Sequence, residues 1–355
     1  MPEAPHRVAI VGANIGKQHC EGFVALPDHF RVATVCDLDG ARALECAALA
    51  PGCTVTAQLD AVLADDGIDI VDICLPPHLH FEAVSRALDA GKHVICEKPL
   101  VTSLAAADAL IAHAERAGRL LAPVFQYRFG PGFRRLRALI DGGLAGRPLV
   151  AALETHWNRG SAYYTVPWRG TWAGEQGGAI LGHAIHIHDM LCAALGPVAR
   201  ASGFLATRVN PIEVDDCAAL SFEMASGALV TSTITLGAAA DTSRLKLCFE
   251  HVTVESDSLP YHPAGGNWRF LARDPDRQGE IDAAVGAVET AQERYAGLFS
   301  ELARALAGET NAAVTAKDAR RSIELVTAVY DASRTGAAVT VPIGSEHPLY
   351  AGWYQ

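Results

Sequence analysis

Over the first third of the chain, short and uniformly apolar runs alternate with longer amphipathic stretches. The runs at 7–11, 31–36, 54–56, 69–75, 93–96 and 120–125 predict strands, and the stretches at 15–26, 39–50, 58–65, 78–90 and 103–117 predict the helices between them. The strands are apolar throughout instead of alternating, so both faces are expected to be covered, as in a parallel sheet. Strand–helix alternation with short turns therefore predicts a doubly wound α/β domain.

Beyond residue 125 the rhythm changes. A helix at 133–141 leads into a long strand at 149–157, a glycine- and aromatic-rich loop at 159–178 and a helix at 179–195. Strands follow at 200–207, 217–223, 228–236, 245–249 and 253–256, with Ala225-Ser226-Gly227 as a hairpin turn. The polar stretch 259–278 reads as a loop, and helices at 291–306 and 316–334 precede a last strand at 339–342. This predicts a second, α+β domain with a large, mostly antiparallel, open-faced sheet. The expected division is 1–125 and 126–355, in line with 355 residues being more than one core usually serves.

Composition narrows the class. The chain carries 29 Lys plus Arg against 40 Asp plus Glu, a net charge of -11. That argues against nucleic acid as a partner, which would need a basic face. It leaves room for an anionic cofactor held by backbone N–H groups. Nine cysteines are present, an odd number with no Cys-x-x-Cys, so neither a disulfide framework nor a structural zinc site is expected. No window reaches the roughly 18 apolar residues of a membrane span, and the N-terminus does not read as a signal peptide. A cytoplasmic protein without membrane contact is the expectation.

The first strand runs into Gly12-Ala13-Asn14-Ile15-Gly16, a turn that could bring a pyrophosphate to a helix N-terminus. Its glycines lie four apart and no central glycine is present, so it departs from G-x-G-x-x-G. Asp37 closes the second strand, where a carboxylate would accept hydrogen bonds from an adenosine ribose and disfavour a 2′-phosphate, selecting NAD over NADP. Capping of the next helix is the competing role for Asp37. Leu75 and Pro76 end the fourth strand at the crevice side of such a sheet. His80 follows at a helix start, as a cofactor contact or as an exposed helix residue.

Ala90-Gly91-Lys92-His93-Val94-Ile95-Cys96-Glu97-Lys98-Pro99 closely resembles the AGKHVxxEKP signature of the glucose-fructose oxidoreductase and inositol dehydrogenase (Gfo/Idh/MocA) family. The strand and P-x-x-x-H at 69–80, the segment at 126–137, Gly177-Gly178-Ala179-Ile180-Leu181 with His186 and Asp189, and the closing 317–342 are similar to that family too. The resemblance implies an N-terminal Rossmann domain that binds NAD and a C-terminal domain for substrate binding and oligomerisation, in a homodimer or homotetramer. It also implies reversible dehydrogenation of a hydroxyl on a polyhydroxylated small molecule. Lys98 and His186 match the residues flanking the reacting carbon, with Glu97 beside Lys98 on the cofactor side. A base must take the hydroxyl proton, and histidine titrates near neutrality. Lysine would stabilise the oxyanion, or the two roles are exchanged. Tyr127, Arg128 and His156 match pocket positions by the same resemblance.

Tyr164, Trp168 and Arg169 in the aromatic loop, and His183 on the helix, suit a polyhydroxylated ring. Trp157, Trp168 and Trp172 equally suit plain packing. Members often carry Asp four residues before the helix histidine; here Gly182 stands there. With the short glycine turn, this motivates a rival reading as a non-catalytic dinucleotide- or sugar-sensing protein. His183, His186, His188 and Asp189 raise a metal-dependent lyase or hydrolase, but no third ligand has suitable spacing and no metal is expected.

Overall fold

The computed structural model describes residues 4–354. The chain divides into two compact units. The first unit opens with β1 (His6–Val11), α1 (Ala13–Val24), β2 (Phe30–Cys36), α2 (Gly40–Ala47), β3 (Thr54–Thr56), α3 (Leu59–Leu63) and β4 (Ile70–Ile73). It continues through α4 (His80–Asp89), β5 (His93–Cys96), α5 (Leu104–Ala117) and β6 (Leu121–Pro123). The sheet order is β3-β2-β1-β4-β5-β6, and every pairing is parallel. Val8, Ala9 and Ile10 of β1, Ile70, Val71 and Ile73 of β4 and Val94 of β5 are fully buried. The uniformly apolar strands thus have both faces covered, and the order reverses beside β1, where such sheets open a crevice.

The second unit contains α6 (Pro131–Asp141), β7 (Pro148–Asn158), α7 (Ile185–Leu195), β8 (Val198–Ala206), β9 (Cys217–Met224), β10 (Leu229–Thr235), β11 (Gly237–Phe249), β12 (Val252–Glu255), β13 (Arg269–Ala272) and α8 (Gln278–Gly286). A single π-helical turn, Ile180–Ala184, leads into α7. The eight-stranded sheet runs β13-β12-β11-β7-β10-β9-β8-β14, where β14 is Val339–Thr340. All of its pairs are antiparallel except β7 with β10. Three pieces escape the apolar pattern. The first half of β11 is small and polar; it meets β7 at Gly237, opposite Asn158, and after a register shift pairing resumes at Thr242. β13 lies inside the stretch read as a loop, and α8 follows directly after it; α8 buries only Ile281, too little to leave a helical periodicity.

Two helices complete the chain, α9 (Arg294–Leu306) and α10 (Ala316–Thr335). The expected division placed everything after 125 in the second domain. In the structure Gln292–Arg320 returns to the first unit, and Ser103–Ala105 belongs to the second. The cause is aromatic: Phe299 of α9 stacks on Phe23 of α1, ring centroids 3.9 Å apart at 5°. Both rings are wholly buried. Among the described residues no helix is long and apolar enough to cross a membrane. Truncation of a fully buried Phe costs about 3–5 kcal/mol, so Phe299→Ala should lower the unfolding free energy of the first unit, read in urea, by that amount. A loss below about 1 kcal/mol would show that α9 does not complete this core.

Candidate functional site

The turn after β1 is built for close approach. Gly12 has φ +99, and a Cβ there would lie 2.4 Å from the carbonyl oxygen of Cys74. Only glycine fits. Helix α1 starts at once, two residues before its apolar periodicity begins, and no side chain caps it. Its leading N–H groups form an anion site of the kind that receives a pyrophosphate. The Ala13 N–H donates to Asp37 Oδ2 at 2.7 Å, so the acid after β2 also fixes the turn. Asp37 Oδ1 accepts the Asp39 N–H at 2.8 Å. The cap of α2 is Asp39, which accepts from Ala41 and Arg42. The competing role for Asp37 is thus filled by its neighbour. A glycine that must stay bare, an uncapped helix N-terminus and an acid at the next strand end fit a dinucleotide.

His80 is corrected in both readings. It is fully buried, with Nδ1 2.7 Å from the Pro99 carbonyl oxygen and Nε2 2.8 Å from that of Leu75. Burial lowers its pKa, against two carbonyl acceptors that favour the charged form. It ties the loop after β4 to the loop after β5 instead of meeting solvent or offering a nitrogen to a cofactor.

Lys98 follows the end of β5 and is half-buried. The residue before it belongs to a cluster that sequence reasoning missed. Glu97 Oε2 accepts the Lys98 N–H at 3.0 Å, and Oε1 lies 3.2 Å from His19 Nε2. His19 Nδ1 lies 2.9 Å from Asp72 Oδ2 and 3.4 Å from Cys74 Sγ. His19 and Asp72 are completely buried. Burial pulls the imidazole pKa down, but Asp72 and Cys74 together outweigh it and raise it well above 6.5. Burial pushes the Glu97 carboxyl up, while the His19 hydrogen bond and charge, with Lys98, hold it below 4.5. A cation on α1 therefore bridges acids on β4 and after β5. Each Glu97 oxygen thus has one partner, and through the Lys98 N–H the residue supports the backbone of Lys98. The available signal was an acid inside the apolar run Ile70-Val71-Asp72-Ile73, which demands a buried partner. Among the described residues His19, Asp72 and Cys74 are also the one group with metal-ligand proximity. Their mutual hydrogen bonds account for them.

In the second unit, Asp215 accepts the N–H groups of Gly178 and Ile180 at 3.1 Å each, and the Tyr330 hydroxyl donates to it. A buried carboxylate thus sits at the start of the helical run 180–195, where the backbone dipole favours it. Burial raises its pKa against those donors. A Cβ at Gly178 would meet the Asp215 carbonyl oxygen at 2.0 Å, which explains the glycine. The π turn buries His183, whose ring is 5.1 Å from Trp157 and 5.7 Å from Tyr163. His186 stacks on Tyr127, centroids 4.2 Å apart at 19°. Arg128 forms a two-point ion pair with Asp189, one turn further along α7.

Tyr127 and Arg128 were expected to line a pocket. Tyr127 does touch a candidate site residue, whereas the Arg128 guanidinium is committed to Asp189. His156 is also displaced from expectation. Along β7 the buried residues are Ala151, Leu153, Thr155 and Trp157, so His156 points to the opposite face, where Nε2 lies 2.9 Å from Thr233 Oγ1. It does not share a sheet face with Trp157 and His183. His188 faces Ser232 at 2.9 Å, and burial lowers its pKa to about 3. The three helix histidines thus meet different partners. Tyr164 packs edge-on against Tyr163 at 5.0 Å, and Arg169 lies over Tyr163 with Trp168 beside it. A Cβ at Gly182 would meet nothing within 4 Å, so crowding does not explain the missing Asp.

Together the strand order, the glycine turn and the acid after β2 define a dinucleotide-binding α/β unit joined to an open-sheet unit. Residues 6–125 match the family model of the oxidoreductase family with an NAD-binding Rossmann fold, and residues 133–255 match the GFO/IDH/MocA C-terminal domain. The chain belongs to the Gfo/Idh/MocA oxidoreductase family. An uncharacterized oxidoreductase of Schizosaccharomyces pombe is 30% identical over 219 residues, 60% of this chain and 58% of that protein. Inositol 2-dehydrogenase of Rhodococcus erythropolis is 39% identical over 147 residues, 41% of this chain and 42% of that protein. The matches therefore span about half the length of these relatives. The WlbA dehydrogenase from Bordetella pertussis, solved with NADH and UDP-GlcNAcA, superposes with a TM-score of 0.81 at 22% identity, over 96% of this chain and 100% of that one. Levoglucosan dehydrogenase with NADH and levoglucosan gives 0.79 at 21%, over 96% and 100%. Both share the fold.

The buried cluster fixes a pH response. Glu97, with a depressed pKa, contributes stability above 4.5 that is lost as pH falls through its folded value. His19, with a raised pKa, contributes stability that is complete below 6.5 and lost as pH rises through its folded value. The stability gap between the protein and His19→Gln, read by urea unfolding, should be widest from pH 4.5 to 6.5 and shrink in alkali. A gap independent of pH would mean that the imidazole is neutral.

Proposed function

We propose that this protein is an NAD-dependent dehydrogenase or reductase acting on a secondary hydroxyl or carbonyl of a sugar, sugar derivative or cyclitol. The observation that carries this is Lys98 at the carboxyl end of β5, in a dinucleotide-binding sheet and braced by the buried Glu97–His19–Asp72 cluster. The names of the inositol 2-dehydrogenase and levoglucosan dehydrogenase relatives point to the same substrate class.

In this reading the first unit binds NAD and the second binds substrate. The α1 N-terminus at Ala13, Asn14, Ile15 and Gly16 would hold the pyrophosphate, Asp37 the adenosine ribose, and Leu75 and Pro76 would flank the crevice. NAD, when bound, accepts or supplies the hydride. The His186 imidazole takes the hydroxyl proton in oxidation and returns it in reduction. Tyr127 orients that ring by stacking. The Lys98 ammonium stabilises the oxyanion that forms as the proton leaves. Lys98→Ala and His186→Ala should each lower kcat about 10²–10⁴-fold, while NADH affinity, measured by its fluorescence, stays nearly constant. The assay is a screen of sugars, cyclitols and their keto forms read at the nicotinamide absorbance. Undiminished turnover in both variants would refute these roles. NADH binding without turnover of any substrate would favour a sensing protein.

The same reading extends to assembly. The open face of the eight-stranded sheet presents Val150, Phe204 and Leu229, exposed to 49%, 76% and 58%. Exposed large apolar side chains gathered on one sheet face suit a second copy of this chain. Phe204→Glu should lower the mass found by light scattering from a dimer or tetramer toward the monomer, and an unchanged mass would place the interface elsewhere.

A further inference from the structure

We infer that the loop between β7 and α7 forms a subsite, centred on Arg169, for an anionic substituent of the substrate, a carboxylate or a phosphate. This deepens the dehydrogenase reading and rests on it for the identity of the ligand as substrate.

The guanidinium carbon of Arg169 lies 3.8 Å from the ring centroid of Tyr163 and 5.3 Å from that of Trp168. A second guanidinium shares this cluster. The Arg159 carbon is 4.9 Å from the Trp157 ring, 5.4 Å from Tyr163 and 5.7 Å from Tyr261. His183 faces two of the same rings. Two cations over one tyrosine repel unless negative charge compensates them. Arg159 has that compensation: Asp241 Oδ2 lies 2.9 Å from it, and the Tyr261 hydroxyl oxygen accepts from it at 3.0 Å.

Arg169 does not. Among the described residues no carboxylate lies within ion-pair distance of it, and its Nε is buried without a hydrogen-bond partner. The Glu175 charge reaches the Tyr163 ring beside Arg169, but the acids of this region are held by donors of their own. Glu175 accepts the Gly170 N–H at 2.7 Å, Glu213 accepts the Trp172 N–H at 2.8 Å, and Asp241 takes Asn158, Arg159 and Tyr261. What the cluster has to offer is donors beside flat apolar faces. A neutral sugar brings hydroxyls that need acceptors as well as donors. A carboxylate or phosphate brings acceptors only, in the planar arrangement that a guanidinium fork matches at two points. Tyr163 and Trp157 would carry the apolar face of the same ring.

The test uses the whole 355-residue chain saturated with NADH. Glucuronate, glucose 6-phosphate, glucose and inorganic phosphate are titrated separately, following tryptophan fluorescence and heat. At least one acidic sugar should bind about tenfold or more tightly than glucose, with an advantage that falls as salt rises. The acid that does so identifies the group as carboxylate or phosphate. Arg169→Gln should erase the advantage, and Arg169→Lys should keep part of it, which separates lost charge from lost fold. Equal binding of acidic and neutral sugars, no binding of either, or an advantage that survives Arg169→Gln would overturn the subsite. The readout needs no turnover, so the titration is repeated with Lys98→Ala. Acid-selective binding in both proteins, with no turnover of any sugar by the unsubstituted protein, would sink the dehydrogenase reading and leave the subsite standing.

Discussion

A charged imidazole buried between two carboxylates holds the working end of the first unit. His19 comes from α1, Asp72 from β4 and Glu97 from the end of β5, three elements far apart in sequence. Burying any one of these charges alone would be prohibitive, so the three are mutually obligatory. The arrangement has a directional consequence. Glu97 spends one oxygen on the imidazole and the other on the Lys98 N–H, so the backbone bearing the candidate lysine is fixed from beneath by groups that never need to touch a substrate. His80 adds a second restraint by holding the Pro99 carbonyl against that of Leu75.

The second unit solves the same problem with the opposite sign. Its buried charge is the Asp215 carboxylate, set against the first N–H groups of the helical run that carries His183 and His186. Asp215, backbone and side chain together, lies close enough to leave no room for a Cβ at Gly178. Further along, Arg128 grips Asp189 and Tyr127 covers His186, so two adjacent residues of one short segment read two positions a turn apart on α7. In both units the residues that would do chemistry are ordinary in themselves. What distinguishes them is the buried electrostatics that leaves each little freedom.

The sequence discloses some of this and hides the rest for physical reasons. Strands such as Val8–Ile10 and Val94–Cys96 are legible because uniform burial leaves a uniform apolar run. Helix α8 and strand β13 are not, since they bury too few side chains to leave a period. The return of α9 to the first unit depends on Phe299 meeting Phe23, a contact 276 residues apart that no local pattern encodes. Lys98 and His186 stood out through their surroundings, Glu-Lys-Pro after an apolar strand and Gly-Gly before a helix. His156 misled because resemblance assigns a position but strand parity assigns a face, and one step along β7 separates it from the buried Trp157. Asp72 was visible as an acid in an apolar strand, yet its partner His19 lay on a helix whose periodicity gave no cause to single it out.

The departure at Gly182 takes its meaning from these contacts. A carboxylate four residues before His186 would both aim the ring and draw its proton. Here a Cβ at that position would meet nothing within 4 Å, and the His186 ring lies against Tyr127. Stacking fixes a plane without adding a negative charge, so orientation and basicity, which one acid would couple, are separated. A substrate that brings its own negative charge would suit such a site, because it need not compete with a resident carboxylate for the cations around it. In the proposed reading, the glycine on the π turn and the Arg169 of the preceding loop describe one adaptation: each leaves room for the charge that an anionic ligand would bring.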